Sequence, residues 1–330
     1  MTRRPLLLDC NPGVDDAMAL YFALAHPDVD LMAITTTFGD VGTAQAARNA
    51  LHLCALAGRA VPVCTGVSTP LRGVPRNPDP EIHGADGLGN QPARDVRAHS
   101  PDERSAARCI VELAHRHAGE LTVVATGPLG NLAQALRLEP KLPQLLKQVV
   151  VMGGAITEPG HVSPVAESNI WHDPHAADLV LTAGLPLTLV PLDVTHRVCF
   201  PLALFERVAA RHHHPATDAL LHAVRFHAAY QGRIEPELAT DQSCHGHAAL
   251  ALLVLVQPQL CSTLSGRVRV ATEGLAEGQT LMDRREQLSY PQAGWEETIP
   301  RIQVCLQVDA VACVSHFEAT LMRDWLTPRP

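Results

Sequence analysis

Aromatic side chains are scarce in this chain. Three Trp, three Tyr and six Phe make up 4% of its 330 residues, too few for the stacked aromatic surfaces that hold single-stranded nucleic acid. Charge of one sign is also lacking. The formal net charge is -8, from 26 Lys and Arg against 34 Asp and Glu, and no long like-charge block occurs. That excludes nucleic acid or an anionic membrane as the main partner. The longest apolar run, 248–256, is far short of the about 20 residues a spanning helix needs. Met1-Thr2-Arg3-Arg4 leads straight toward a strand, without an apolar leader. The nine cysteines contain no Cys-x-x-Cys, and an odd count without a signal peptide reads as free thiols in a reducing cytoplasm. No internal repeat or low-complexity tract is present.

What is present begins at 6–24. Leu6, Leu7 and Leu8 form a short apolar run that suits a buried parallel strand. Asn11, Pro12 and Gly13 are turn formers. Val14, Met18, Tyr21, Phe22 and Ala25 then recur at helical spacing. Asp9, Asn11, Asp15 and Asp16 therefore crowd onto one strand–helix turn. As helix-start acids alone, Asp15 and Asp16 would each gain about 0.3–1 kcal/mol from the helix dipole. Four polar acceptors at the carboxyl end of a strand suggest more. That edge of an open α/β sheet is where ligands bind, and oxygen-rich clusters suit hard cations. A Mg²⁺ phosphotransferase would also use such acids, but the chain lacks a Gly-rich, Lys-containing phosphate cradle.

Strand and helix signals alternate along most of the chain. Strands are expected over 29–37, 61–64, 121–125, 148–152 and 187–192. Helices are expected over 43–57, 105–115, up to Leu136 after the Thr126-Gly127-Pro128-Leu129-Gly130-Asn131 turn, and over 176–182. The stretch 69–90, rich in Pro and Gly, reads as a long surface loop. A helix over 205–229 is interrupted at Arg211-His212-His213-His214-Pro215. Three consecutive histidines point in different directions on a helix, so this run reads as an exposed loop rather than a metal site. The tail returns to β character at 267–271 and 301–308, then closes with a helix over 310–322. This alternation predicts a single α/β domain over 1–330, with a mostly parallel open sheet flanked by helices.

Several ordered blocks resemble the nucleoside hydrolases, the inosine–uridine-preferring ribohydrolase family. Asp9, Pro12, Gly13, Asp15, Asp16 and Ala17 match the amino-terminal Asp-x-Asp-Pro-Gly-x-Asp-Asp-Ala signature. Ile34-Thr35-Thr36-Thr37 with Gly39-Asp40 resembles the second block. Further likenesses are His83-Gly84 through Gly89, Ala125 through Asn131, Val151 through Gly154, Ala166 through Asn169, and Leu192-Asp193-Val194-Thr195-His196. The resemblance implies a Rossmann-like fold and a glycosidase that splits ribonucleosides into ribose and free base, as in purine and pyrimidine salvage. It also implies a small-molecule nucleoside or ribose partner, a homodimer or homotetramer, and a Ca²⁺ cofactor. Cleaving an N-glycosidic bond builds oxocarbenium-like charge on the ribose, which nearby carboxylates stabilise, while a general acid helps the base leave.

Carried over residue by residue, the metal ligands are Asn11, Asp16 and the Thr126 carbonyl. The substrate-binding residues are Asp15, Asp40, His161, Glu167 and Asn169. The catalytic residues are Asn11, His83 and His247, with His245 as the alternative to His247 under a shifted alignment. The departures are equally specific. Asn11 stands where the family has the aspartate that ligates calcium and takes the water's proton. An amide oxygen still ligates Ca²⁺ but has no useful basicity. Ala248 stands at the late aspartate, and Asp241 is the nearest acid. Asp40 replaces a usual asparagine, His161 another, and Ser168 a frequent aromatic. Fewer charged ligands imply weak or absent calcium binding. Two readings follow: an N-ribosyl hydrolase of altered metal dependence, or a non-catalytic nucleoside-binding relative that kept the sugar contacts.

Overall fold

The computed structural model describes residues 3–91, 100–285 and 290–326; Met1 and Thr2, where the leader reading begins, lie outside them. Among the described residues eleven strands follow in chain order: β1 Arg4–Cys10, β2 Val29–Thr36, β3 Val63–Thr65, β4 Thr122–Ala125, β5 Gln148–Met152, β6 Leu187–Val190, β7 Cys199–Pro201, β8 Ser243–His245, β9 Cys261–Val270, β10 Thr280–Asp283 and β11 Ile302–Val308. Nine of them form one sheet in the order β10-β9-β11-β6-β5-β4-β1-β2-β3, and β7 pairs with β8. From β3 to β11 every neighbouring pair is parallel. β9 and β10 add an antiparallel edge. The mostly parallel open sheet anticipated from the alternation is what forms.

β1 is buried on both faces. Leu6, Leu8 and Cys10 pack into one apolar cluster and Leu7 into the other, as the two-residue period of a strand requires. Each such leucine stabilises the fold by about 1.5–3 kcal/mol. The helix Val14–Ala25 is more deeply placed than its apolar stripe suggests, because every residue in it except Asp15 is buried. The helices His247–Val256 and Ala310–Leu321 cover its outer side. Phe22 stacks on Phe317 at 5.6 Å, and Tyr21 leans on Trp325 at 5.3 Å.

The structure differs from the sequence reading in several places, the short strands β7 and β8 among them. The stretch 69–90 is not loop throughout, since Pro80–His83 forms a helical turn whose first amides are capped by Asp79. The strand expected over 187–192 stops at Val190. Pro191 cannot donate to a ladder, and Leu192–Thr195 turns into a short helix instead. β10 and the first half of β9 carry no sequence alternation that announces them. The histidine run is a break between helices: His213 adopts φ 48°, and His214 caps Pro215–Ile234 through the Ala216 N–H.

Chain order reverses at β1. β2 and β3 lie to one side of it and β4, β5 and β6 to the other. Asp9 is paired with Ala125 across that seam, and the Thr126 N–H donates to the Asp9 carbonyl at 2.8 Å. A switch point of this kind opens a crevice at the strands' carboxyl ends.

Candidate active site

The floor of the crevice is acidic. Asp9, at the end of β1, accepts from Thr35 Oγ1 at 2.5 Å and Asn131 Nδ2 at 2.7 Å. Burial nonetheless pushes its carboxyl up to about 6. Asp16 accepts from the Asn11 backbone N–H at 2.9 Å. Burial, and then the charge of Asp15, push the Asp16 carboxyl well above the usual range. In the orientation that satisfies both its groups, the Asn11 amide donates to Asp16 Oδ2 at 3.1 Å and accepts from the Asp40 N–H at 2.8 Å. Gly13 makes this crowding possible. A β-carbon there would lie 2.8 Å from Asp40 Oδ2 and 2.9 Å from His83 Nδ1.

Above that layer Asp15, Asp40, Thr126, Glu167 and Asn169 line a cavity of about 160 Å³. Glu167 caps the helix Ser168–His172. It accepts from the N–H groups of Asn169, Ile170 and Gly154 at 2.9, 3.0 and 3.1 Å. Burial outweighs these three donors and lifts its carboxyl to about 7. Asn169 Nδ2 donates to the Thr126 carbonyl at 3.0 Å, which ties the β4 end to the β5 loop. Asp15 accepts from the Ala248 N–H at 3.4 Å, at the start of the helix His247–Val256, where an anion sits favourably.

The wall is a set of histidines. His83 and His227 stack with centroids 4.9 Å apart and planes 13° apart. The Val14 N–H donates to His83 Nδ1 at 3.1 Å. That fixes the proton on Nε2, which faces Asp40 Oδ2 at 3.4 Å. His227 is gripped by the Ile82 carbonyl and Gln231. His247 Nδ1 pairs with Thr195 Oγ1 at 2.8 Å. Both nitrogens of His245 are engaged, Nδ1 toward Cys199 Sγ at 3.7 Å and Nε2 toward Glu235 at 3.1 Å. His161 stands at the rim, 3.9 Å from Glu167. Burial, its first cause in each case, lowers His83, His161, His196, His227 and His247 below the ordinary imidazole range.

The positions singled out in the sequence thus meet at one place. Asp15, Asp40, His83, Thr126, His161, Glu167, Asn169 and His247 face the cavity, while Asn11 and Asp16 lie directly beneath it. His245 faces the cavity as well as His247. Asp241 is exposed and bonded to Ser243, and it is not among the lining residues. One Asp/His group here could hold a metal: Asp15, Asp40 and His83 bring their ligating atoms within 4.8 Å of one another. Around Asn11, Asp16 and Thr126 the donors are largely spent. The Thr126 carbonyl and the Asn11 amide have protein partners. Asp16 Oδ1 is buried without one among the described residues.

The family model described as inosine-uridine preferring nucleoside hydrolase matches residues 6–315. The chain belongs to this family. Uridine nucleosidase 1 of Arabidopsis thaliana is 35% identical, the match covering 96% of this chain and 93% of that protein. A solved plant nucleoside hydrolase, the PpNRh1 enzyme, superimposes with a TM-score of 0.89 at 33% identity, covering 97% of this chain and 99% of the other. The purine-preferring ribonucleoside hydrolase from Gardnerella vaginalis gives 0.88 at 31%, covering 97% and 98%.

The sequence blocks of this nucleoside hydrolase family left part of the wall unannounced. His227, Tyr230, Gln231 and Glu235 all come from the helix Pro215–Ile234 and its C-cap, and all line the cavity. Their signal is faint: His227 and Gln231 fall four residues apart on the buried face of a long helix, where polar groups are rarely placed without a partner.

Proposed function

We propose that the protein hydrolyses the N-glycosidic bond of ribonucleosides to ribose and free base. What supports this is the convergence at one switch-point cavity of Asp15, Glu167 and Asn169, a polyol-binding set, beneath a wall of imidazoles, in a chain of this family. Asp15, Glu167 and Asn169 hold the ribose hydroxyls. Their negative ends stabilise the positive charge that develops as the bond to the base breaks. The electron pair leaves with the base, and the neutral His247 ring, its Nδ1 held by the Thr195 hydroxyl, gives the base its Nε2 proton and regains the proton that the attacking water releases. Water attacks the anomeric carbon. Asn11 cannot take the water's proton; the carboxylate of Asp40, turned inward and held by His83 Nε2–H, takes it instead.

The calcium shell of the family is incomplete here. Calcium prefers six to eight oxygen ligands, and its affinity rises with ligand charge. Asp16 supplies one carboxylate, Asn11 is neutral, and Ala248 contributes only its backbone N–H, which points at Asp15. The chain's own residues therefore carry the steps above, and calcium is expected to bind with about millimolar affinity at best. The nine free thiols suit a reducing compartment, so we place the enzyme in the cytoplasm, as a homodimer or homotetramer that light scattering would distinguish.

The test is release of base from uridine and inosine with and without a chelator. Turnover unaffected by chelation is the expected result. Turnover abolished by it would overturn the metal-poor mechanism. No turnover, with ribose still bound, would favour the second reading, a nucleoside-binding relative, for which an amide in place of a carboxylate at position 11 speaks.

A further inference from the structure

Three wall histidines carry an arrangement that hydrolysis does not call for. His161 comes from the loop after β5, His196 from the C-cap of the turn Leu192–Thr195, and His247 from the first position of the helix His247–Val256. Each offers a ring nitrogen, and these atoms lie within 4.8 Å of one another. The ring centroids are 5.5, 5.8 and 6.2 Å apart. Burial, and after it neighbouring imidazoles, lower all three below the ordinary imidazole range, so each ring has a lone pair to offer; on His247 it falls on Nε2 when Nδ1 donates its proton to Thr195 Oγ1. His247 also has the orienting partner that metal-bound imidazoles usually have, here Thr195 Oγ1 on Nδ1. Three converging imidazole lone pairs select borderline transition metals and discriminate against calcium.

We propose that His161, His196 and His247 form a three-histidine site for a divalent transition metal of the Zn²⁺ and Co²⁺ class, with a fourth position open to the nucleoside cavity. His247 binds through Nε2. His161 binds through Nε2 too, giving up the hydrogen bond it accepts from the Ser168 N–H at 2.9 Å. Tetrahedral coordination at about 2.0–2.1 Å brings the nitrogens to about 3.4 Å from one another. The rings must therefore close in slightly, which a loop residue and two helix-end residues allow. His245 stays outside the set because Cys199 and Glu235 engage both its nitrogens. On the hydrolytic reading given above, an ion on His247 Nε2 removes the proton donor for the leaving base, so occupancy inhibits turnover.

The experiment titrates the metal-stripped full chain with Co²⁺, then displaces it with Zn²⁺. One Co²⁺ per chain is expected, with the intense visible absorption of four-coordinate cobalt. His161→Ala and, separately, His196→Asn should each weaken binding by about 100-fold, at the upper end of what even outer partners of a metal cost when removed. Circular dichroism checks that each variant is folded. Asp40→Asn should leave Co²⁺ binding unchanged. If Asp40→Asn abolishes binding while His161→Ala retains it, the ion sits on Asp15, Asp40 and His83, and the proposal fails. Six-coordinate spectra or unsaturable uptake overturn it as well. Binding is read without substrate, so a chain that fails to hydrolyse nucleosides still tests the site. Bound Zn²⁺ that leaves uridine hydrolysis undiminished refutes the inhibitory role alone.

Discussion

The floor of the cavity and its wall are built from opposite kinds of group, and burial acts on them in opposite directions. On the floor Asp9 and Glu167 are driven up to about 6 and about 7. On the wall His227 is driven down to about 4, and His247 falls well below the imidazole range. Both shifts have one cause, the exclusion of water from charge, and both favour the uncharged form. The floor holds its carboxyl groups with fixed hydroxyl, amide and backbone donors; the wall holds its rings with side-chain, backbone N–H and carbonyl partners. A floor so built suits sugar hydroxyls. A wall of neutral imidazoles suits proton transfer to a departing base, or a borderline transition-metal cation.

The largest test of this division removes a wall residue. His247→Ala should lower kcat for uridine by about 10²–10⁴-fold, the usual worth of a positioned proton donor. A riboside whose leaving group departs unaided, such as a nitrophenyl riboside, should be hydrolysed almost as well as by the unchanged protein. Equal losses on both substrates would mean that His247 positions the sugar and belongs functionally with the floor.

Next in size is the conversion of the floor into a cation site. The paired replacements Asn11→Asp and Ala248→Asp raise the carboxylates there from one to three. Calcium affinity should tighten by about two orders of magnitude, in line with its dependence on ligand charge. Calorimetry reads this directly. Unchanged affinity would show that position 248 does not face Asp16, and that the helix His247–Val256 is registered differently against the family.

Floor and wall were not equally legible in the sequence. The deepest layer of the floor lies within one strand–turn–helix unit, so Asp9, Asn11, Asp15 and Asp16 announce themselves by spacing alone, whereas Glu167 comes from the start of the helix Ser168–His172. The wall is assembled from five segments: 80–83, the β5 loop, 192–196, the helix Pro215–Ile234, and 245–247. Each contributes one or two histidines that look ordinary in their own surroundings. His83, His161 and His247 became visible through block resemblance; His227 became visible only once the fold had stacked it on His83. The sheet was legible because its central strands are apolar on both faces. The edge was not, since β10 is four residues long and only Leu281 and Met282 in it are apolar.

The smallest effect is on stability, and it separates floor from wall by sign. Between about pH 4.5 and 7 the folded chain binds more protons at Glu167 than the unfolded chain does, so this group's contribution to stability falls as pH rises. His227, lowered to about 4, does the reverse: its contribution is lost as pH falls from about 6.5 toward 4. The two nearly offset each other until pH passes the imidazole range, after which the acid dominates. Lifting Glu167 from 4.5 to about 7 costs on the order of 3 kcal/mol at pH 8, at about 1.4 kcal/mol per unit. Glu167→Gln removes that term. It also leaves one of the three backbone N–H donors without a carboxylate oxygen, a loss of about 1 kcal/mol. The variant should therefore be about 1–2 kcal/mol more stable than the parent at pH 8 and slightly less stable at pH 4, in denaturant titrations at both values. A variant less stable at pH 8 would show that the three amides favour the ionised carboxylate by more than burial disfavours it, and that Glu167 is not raised above the ordinary carboxylate range.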